Sequence, residues 1–370
     1  MNRLRILDIF CGAGGLSFGF ANSSFFELVA ANDIDQNAIK AYKLNHNKTH
    51  TICKDIANLS HSDVLKFGTI DIVLGGPPCQ SYSTLGKREM DDRAKLFKEY
   101  LRIIEITKPS MFIFENVVGL ISMQKGNLFK YICQLFESLG YRINFKILNA
   151  AEFGVPQIRE RVIVVGIKNS YKSEFKFPIP THYDPANATL FDCDNLLPFV
   201  SIKDALDDLP SIKSGENGNN LGYKFNSNNT FLQFVRTTKK LSEHESPNNN
   251  DNLIKIMQAL KDGQSKDDLP AEIRPKSGYC NTYAKMFWNK PAPTITRNFA
   301  TPSSSRCIHP RDSRAMSIRE GARLQSFPDN YLFFGSNTDK RLQIGNAVPP
   351  LLSVALAKSV ENYFKDNFNV

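Results

Sequence analysis

Short apolar runs alternate with helical patterns along the first half of the chain. Six runs predict strands, at Arg5 to Phe10, Phe26 to Asn32, Ile70 to Leu74, Met111 to Phe114, Ile143 to Leu148 and Val162 to Ile167. Helical spacing is found between them, at 36–45, 94–107 and 127–139. Because strands joined by crossover helices form a largely parallel sheet, the pattern predicts an α/β fold with ligands at the carboxyl ends of the strands.

The helix at 127–139 shows how this sheet is expected to be covered. Its apolar residues recur at helical spacing and predict one stripe facing the sheet, formed by Leu128, Tyr131, Ile132, Leu135, Phe136 and Leu139. Gly140 follows as a stop signal.

The pattern changes after about residue 178. Segments such as "SGENGNN", "NSNNT" and "SPNNNDN" are rich in Asn, Gly and Ser, which predicts a smaller, loop-rich second domain. The final stretch "PPLLSVALAKSVENYFKDNF" again has helical spacing, and so apolar a helix is expected to return to the α/β domain. We therefore expect one domain at 1–178 plus 342–370 and another at 179–341.

Composition narrows the class of protein. The chain has 370 residues, 42% of them hydrophobic, and neither a signal peptide nor a membrane span is expected, which favours the cytosol. Seven cysteines without a CxxC pair predict reduced thiols and no metal site. The net charge of +9 suits a polyanionic partner such as nucleic acid, although basic surfaces also serve solubility.

Glycines or acids follow the first two predicted strands and a further candidate strand that ends near Asp55. In "ILDIFCGAGGLSFGF", Gly12, Gly14 and Gly15 allow the backbone and the start of a helix to approach a ligand closely. Asp33 ends the second strand, where it can accept hydrogen bonds from ribose hydroxyls, and Asp55 lies at the end of a further candidate strand, at Lys54-Asp55-Ile56, before the run at Ile70 to Leu74. The loop has G-x-G-G in place of G-x-G-x-x-G, which favours S-adenosylmethionine over NAD; a structural turn and a helix-capping Asp55 are the alternatives.

A cysteine follows the predicted strand at Ile70 to Leu74, in "DIVLGGPPCQSYS". Two glycines permit close approach and two prolines restrict the backbone before Cys79, which suits a nucleophile better than a packed thiol. "FENVVGL" places Glu115 at the adjacent strand end. In "QIRERV", Arg159 and Arg161 are two apart and are expected on one side of an extended chain, where a cation would lower a thiol pKa or clamp a phosphate.

Taken in order, the motifs resemble those of a known family. "DIFCGAGG", "NDID", "GGPPCQSYS", "ENV", "QIRERV", "REGARLQSFPD" and "IGNAVPP" are similar to the motif set of the DNA (cytosine-5) methyltransferases, especially those of bacterial restriction–modification systems. The resemblance covers about 4–167 and 290–360. It implies a class I S-adenosylmethionine-dependent methyltransferase fold with a target-recognition domain and hinge at 179–341.

The resemblance also implies roles for individual residues. In the implied cofactor pocket, Phe10 and Ile34 lie on either side of the adenine with Leu96 nearby, and Asp55 binds the adenine amino group. Asp33 binds the ribose, and the backbone of Gly12, Gly14 and Gly15 contacts the methionine end. The pocket also contains Ile56, Pro78 and Asn346. Cys79 would be the nucleophile, Glu115 would bind the cytosine edge, and Arg161 and Arg159 would complete the catalytic group. DNA contacts are implied for Gln80, Ser83, Arg93 and Arg297.

The implied reaction transfers a methyl group from S-adenosylmethionine to carbon 5 of a cytosine flipped out of duplex DNA, through a covalent cysteine adduct and without a metal. The product of the donor would be S-adenosylhomocysteine. The protein would be a monomer in the bacterial cytosol, sharing a system with a restriction endonuclease without a stable complex. Six arginines between 297 and 323 are expected to supply two or three phosphate contacts. A tRNA cytosine-5 methyltransferase and a non-catalytic DNA-binding repressor are the alternatives.

Overall fold

The chain forms two compact units. The computed structural model describes residues 3–78, 95–189, 195–226, 229–276, 278–279 and 281–368. The first unit comprises Met1–Asn149, Glu160–Ile179 and Leu352–Val370, and the second comprises Ala150–Arg159 and Pro180–Leu351. Compared with the predicted boundaries, the segments 150–159 and 342–351 belong to the second unit.

Hydrogen bonds within the second unit explain this difference. The Ala292 N–H donates to the Pro156 carbonyl at 2.9 Å, and the Ile158 N–H donates to the Ala292 carbonyl at 2.8 Å. Arg159 adds contacts to the carbonyls of Gly345 and Ala347, both at 3.0 Å. These long-range partners hold both segments in the second unit.

Seven strands form one sheet in the first unit, in the order β3-β2-β1-β4-β5-β7-β6. Their bounds are β1 Leu4–Ile9, β2 Phe26–Asp33, β3 His50–Cys53, β4 Ile72–Gly75, β5 Met111–Val117, β6 Tyr141–Asn149 and β7 Glu160–Lys168. The first five strands pair in parallel, whereas β7 is antiparallel to both of its neighbours. The predicted α/β fold is confirmed.

The remaining elements are helices and short strand pairs. The helices are α1 Ser17–Ala21, α2 Gln36–Asn45, α3 His61–Leu65, α4 Lys95–Thr107, α5 Gly119–Ser122, α6 Asn127–Ser138, α7 Ile202–Leu206, α8 Thr230–Val235, α9 Asp251–Ala259, α10 Ile318–Leu324, α11 Asn337–Asn346 and α12 Pro350–Phe368. In the second unit, β8 His182–Tyr183 pairs with β9 Leu197–Pro198, and β10 Ala284–Lys285 pairs with β11 Arg306–Ile308. Within the described ranges, no helix is long and apolar enough to cross a bilayer.

Aromatic side chains fill the core between the sheet and helices α4 and α6. The Phe112 and Phe136 ring centroids are 4.3 Å apart, and Tyr100 lies edge-on to Phe112. On α6 the buried face is formed by Phe129, Ile132 and Phe136, while Tyr131 is 53% exposed. The predicted stripe was therefore wrong at Tyr131, because Phe129 occupies the buried side of that turn.

The last helix returns to the first unit, as predicted. The Ser353 hydroxyl accepts a hydrogen bond from the Gly19 N–H at 2.8 Å. A Cβ atom at Gly19 would lie only 2.3 Å from the Ser353 carbonyl oxygen. Helices α1 and α12 can approach this closely only because residue 19 is glycine.

Buried ion pairs hold the second unit together around α10. Arg323 is fully buried and reaches Asp208 at 2.6 Å and Asp329 at 2.7 Å. Arg314 pairs with Glu320 at 2.7 Å, and Arg319 is also fully buried. The charges of these three arginines are neutralised inside the unit, so the two or three phosphate contacts expected between 297 and 323 stay a prediction for the other three.

We predict that Asp208→Ala lowers the free energy of unfolding by about 3–5 kcal/mol, because it removes the carboxylate shared by Arg236 and Arg323 and leaves the buried charge of Arg323 with Asp329 alone. Its neighbour provides a matched control. Asp207 is 34% exposed and pairs with Lys224 and Arg311, so Asp207→Ala should cost less than about 1 kcal/mol. Urea denaturation measures both values; equal losses would contradict the structural role of the buried pair.

Candidate active site

The glycine loop after β1 lies beside the carboxylate of Asp33, and its backbone is accessible to a ligand. Gly12 and Gly14 have φ angles of 53° and 95°, a region that costs other residues strain. The Gly12 N–H donates to the Asp33 carboxylate Oδ2 at 2.8 Å. Among the described residues outside its immediate neighbours, no heavy atom lies within 4 Å of the position that a Cβ atom on Gly12 would take. Space for a ligand therefore adjoins both the loop and the carboxylate.

Asp33 is held in place by backbone donors. Its Oδ1 accepts the Asp35 N–H at 2.9 Å, while its Oδ2 accepts the Gly12 N–H. Burial raises the pKa of Asp33 above its ordinary value, and the two backbone hydrogen bonds oppose that shift. Each carboxylate oxygen has a second lone pair, so the group can still accept ribose hydroxyls. The structure brings Asp33 and Gly12 together, and the ribose contact stays a prediction.

The other residues predicted for the cofactor pocket differ in exposure. Ile34 is 69% exposed, whereas Phe10 is half-buried against the core of the first unit. Ile56 is buried in that core, and Leu96 is partly buried against it. Asp55 accepts the Ala57 N–H at 3.0 Å and caps a short 3-10 turn, which is the alternative role considered for it. Exposed Ile34 offers the most apolar surface to a ligand.

Arg159 has a structural role in place of the predicted catalytic one. Its side chain is 1% exposed and donates to the carbonyls of Ile295, Gly345 and Ala347. Two of these carbonyls flank Asn346, the exposed last residue of α11. Arg159 therefore holds the backbone that carries Asn346, whose contact with a cofactor stays a prediction.

An ion pair lies at the ends of β5 and β7. Arg161 Nε donates to Glu115 Oε1 at 2.9 Å, and each side chain is 13% exposed. Glu115 pairs with Ile163 across the strands, which makes Arg161 its diagonal neighbour. A Cβ atom on Gly76 would lie 2.7 Å from Glu115 Oε2, so the carboxylate sits directly over the turn after β4. The predicted proximity of Glu115 and Arg161 is thus present.

Asn116, the neighbour of Glu115, bonds to the same turn and is a residue that the motifs did not predict for the site. Its Nδ2 donates to the Pro77 carbonyl at 3.0 Å, and its Oδ1 accepts the Val117 N–H at 2.9 Å. The side chain is 3% exposed. Its polar character beside Glu115 in an otherwise apolar strand was the available signal. Asn116 fixes the chain two residues before Cys79.

Four of the predicted site residues cannot be placed. Cys79, Gln80, Ser83 and Arg93 lie outside the described residues. Pro78, the last described residue before them, is exposed. The nucleophile and three DNA contacts therefore stay predictions.

The group of potential metal ligands found among the described residues lies in the second unit, at His309, Asp312 and Glu320. His309 Nδ1 accepts the Asp312 N–H at 3.0 Å, so in the neutral ring the proton resides on Nε2, which is then no metal ligand. Burial lowers the pKa of His309 to about 4. Both carboxylates bind Arg314. The cluster is therefore an ion-pair centre.

A mostly parallel sheet with a glycine loop after β1, an acid after β2 and a carboxylate over the turn after β4 is typical of a Rossmann-like, nucleoside-binding enzyme. Comparison with known proteins narrows this class. The sequence matches the family of C-5 cytosine-specific DNA methylases over residues 4–362.

Two curated relatives and one solved structure are similar over nearly the whole chain. Type II methyltransferase M1.HphI of Haemophilus parahaemolyticus is 33% identical over 364 residues, which cover 96% of this chain and 86% of that protein. Type II methyltransferase M.DdeI of Desulfomicrobium norvegicum is 33% identical over 391 residues, covering 99% and 90%. The structure described as a DNA modification methyltransferase encoded within an E. coli prophage has a TM-score of 0.78 at 24% identity, covering 98% and 99%.

The chain therefore belongs to the C-5 cytosine-specific DNA methylase family and is a DNA (cytosine-5) methyltransferase. The resemblance noted from the motifs is confirmed. Use of S-adenosylmethionine is general to this family.

We predict that Asn116→Ala lowers kcat by about 100-fold, because loss of its hydrogen bond to Pro77 releases the chain that leads to Cys79. The KM for DNA should change little. Asn144→Ala on β6 of the same sheet serves as a control, because no group within the described ranges accepts a hydrogen bond from the Asn144 amide nitrogen. Steady-state methyl transfer to duplex DNA measures both variants. Equal kcat values for Asn116→Ala and the control would show that Asn116 does not position the reacting group.

Proposed function

We propose that Cys79 is the nucleophile of the methyl transfer and that Glu115 and Arg161 act on the same cytosine. The observation that supports this is the Glu115–Arg161 pair over Gly76, three residues before the thiol. Cytosine carbon 5 is too weak a nucleophile to be methylated unaided. A thiolate that adds to carbon 6 activates it.

The proposed reaction begins at the Cys79 sulfur. The Cys79 thiolate forms a bond to carbon 6, and the electrons of the carbon 5–carbon 6 double bond shift towards ring nitrogen 3. Glu115, as the protonated acid, donates its hydrogen bond to that nitrogen and transfers the proton to it. Carbon 5 would then form a bond to the methyl group as the sulfur–methyl bond of the donor breaks and S-adenosylhomocysteine leaves, and the proton on nitrogen 3 would return to Glu115. Carbon 5 then loses its own proton to a base. The electrons of that carbon–hydrogen bond restore the ring double bond and expel the thiolate from carbon 6. Arg161 keeps the Glu115 carboxyl group oriented throughout.

The residues of the first unit fit the proposed donor. S-adenosylmethionine supplies an electrophilic methyl group when bound. The open space beside Gly12 admits its methionine end, the Asp33 carboxylate accepts its ribose hydroxyls, and exposed Ile34 covers one face of the adenine. Asp33 and Gly12 are joined directly, so the turns that would hold the ribose and the methionine end move together.

Access to carbon 6 requires that the cytosine leave the helix, since neither the thiol nor the donor can reach it within stacked duplex DNA. In this proposal the second unit contains the target-recognition region, and Arg297 is one of its phosphate contacts. The Arg297 side chain is exposed. A Cβ atom on Gly345 would lie 2.3 Å from the Arg297 nitrogen, so the backbone that carries this cation is closely packed.

The biological role we propose is protection of host DNA in a type II restriction–modification system. Both relatives are named type II methyltransferases, and this supports the proposed role. The enzyme would act as a monomer in the bacterial cytosol, and a cognate endonuclease would cut the same sequence without forming a stable complex with it.

We predict that Cys79→Ser abolishes transfer of labelled methyl groups to duplex DNA, because a serine hydroxyl is ionised far less than a thiol at neutral pH. Duplexes that contain 5-fluorocytosine should form a denaturation-resistant adduct with the wild-type protein, since fluorine cannot leave as a proton does, and none with the variant. Cys133→Ser on α6 should retain activity. Methylation by Cys79→Ser at the wild-type rate would refute the nucleophile.

We predict that Arg297→Gln weakens binding to all duplexes alike and lowers the slope of log K against log salt by about one, as expected for one lost phosphate contact. Lys365→Gln on α12 is the control; Lys365 is 43% exposed and pairs with Glu361. Fluorescence anisotropy at several salt concentrations measures the slopes. An unchanged slope for Arg297→Gln would exclude this contact.

A further inference from the structure

Three buried polar side chains form a hydrogen-bonded chain under the glycine loop. The Ser17 hydroxyl donates to Asp8 Oδ2 at 2.5 Å, and its oxygen lies 2.7 Å from the Tyr42 hydroxyl. Since Ser17 uses its proton on Asp8, the Tyr42 hydroxyl is the donor to Ser17. Asp8 is 1% exposed, and Ser17 and Tyr42 are fully buried. The proposed reaction uses none of the three.

Each member belongs to an element that borders a predicted cofactor-binding turn. Asp8 lies on β1, just before the glycine loop, and Ser17 is the first residue of α1, just after it. Tyr42 lies on α2, whose first turn is capped by Asp35, two residues after Asp33. The chain from Asp8 to Tyr42 thus connects the base of the glycine loop to the helix that carries the acid turn.

A second link joins the same two turns on the ligand side, where the Gly12 N–H donates to Asp33. Burying three polar groups carries a desolvation cost that apolar side chains of the same size would avoid. Directional hydrogen bonds set distances more sharply than apolar packing does. Burial also raises the pKa of Asp8 to about 7, although the hydrogen bond from Ser17 acts in the opposite direction. The desolvation cost therefore falls on the Asp8 carboxyl group.

We propose that Asp8, Ser17 and Tyr42 are positioning residues for the methyl donor, which set the distance between the glycine loop and the acid turn. The proposal rests on S-adenosylmethionine being that donor. Disruption of the chain should therefore weaken donor binding while leaving the reacting groups near Cys79 untouched.

The direct test compares two tyrosines. Tyr42→Phe removes the hydroxyl from the chain and retains the ring. Tyr141→Phe on β6 removes an equally buried hydroxyl, whose hydrogen bond at 2.8 Å runs to the Pro109 carbonyl. We expect Tyr42→Phe to raise the Kd for S-adenosylmethionine by about ten-fold in calorimetry, with the KM raised alike and kcat retained at saturating donor. Tyr141→Phe should bind as the wild type does.

The acid provides a rescue experiment. Asp8→Asn retains an oxygen that accepts from Ser17, so we expect near wild-type donor affinity, whereas Asp8→Ala should lose about as much as Tyr42→Phe. Equal Kd values for Tyr42→Phe and Tyr141→Phe would overturn the positioning role alone. Losses of donor affinity that merely parallel the loss of melting temperature across the variants would do the same. Failure of the wild-type protein to bind S-adenosylmethionine would overturn the donor assignment and this proposal together.

Discussion

Parallel pairing of the strands is the constraint on which the site depends. Because β1, β2, β4 and β5 run in the same direction, the segments that follow them emerge at one edge of the sheet. These segments are the glycine loop, the acid turn at Asp33, the Gly76–Pro77 turn and the end of β5 with Glu115. The antiparallel strand β7 brings its beginning, with Arg161, to that same edge.

Hydrogen bonds between neighbouring strand ends then fix the positions of the segments that strand pairing brings close together. Gly12 joins Asp33, Asn116 joins Pro77, and Arg161 joins Glu115. Each of these contacts engages a backbone group or a charge at the sheet edge. The edge is therefore preorganised before any ligand binds, which lowers the cost of ordering it during the reaction.

Much of the first unit could be predicted because its signals are local. The apolar runs of the strands, the spacing in α4 and the glycine after α6 each arise within a few residues. The roles of the arginines could not be predicted in this way. Arg323 can be buried because Asp208, 115 positions away, neutralises its charge. Arg159 can be buried because the carbonyls of residues 295, 345 and 347 accept hydrogen bonds from its guanidinium group. No local pattern distinguishes such an arginine from Arg161, only two residues further along.

The same reasoning explains Asn116 and the Asp8 chain. A polar residue within an apolar strand is a visible signal, but its partner is revealed only by the fold. Pro77 is 39 positions from Asn116, and Tyr42 is 25 positions from Ser17. Motif order identified the family and the charged pair, whereas the residues that hold those motifs in place required three-dimensional contacts.

The most direct test of this arrangement is a crystal structure of the enzyme with S-adenosylhomocysteine and a duplex that contains 5-fluorocytosine, trapped after methyl transfer. We expect one pyrimidine outside the helix, with its carbon 6 bonded to the Cys79 sulfur and its ring nitrogen 3 facing Glu115. The ribose of S-adenosylhomocysteine should be hydrogen-bonded to Asp33. A cytosine that remains stacked in the duplex, or a trapped ring bonded elsewhere with the Glu115–Arg161 pair unengaged, would contradict the account.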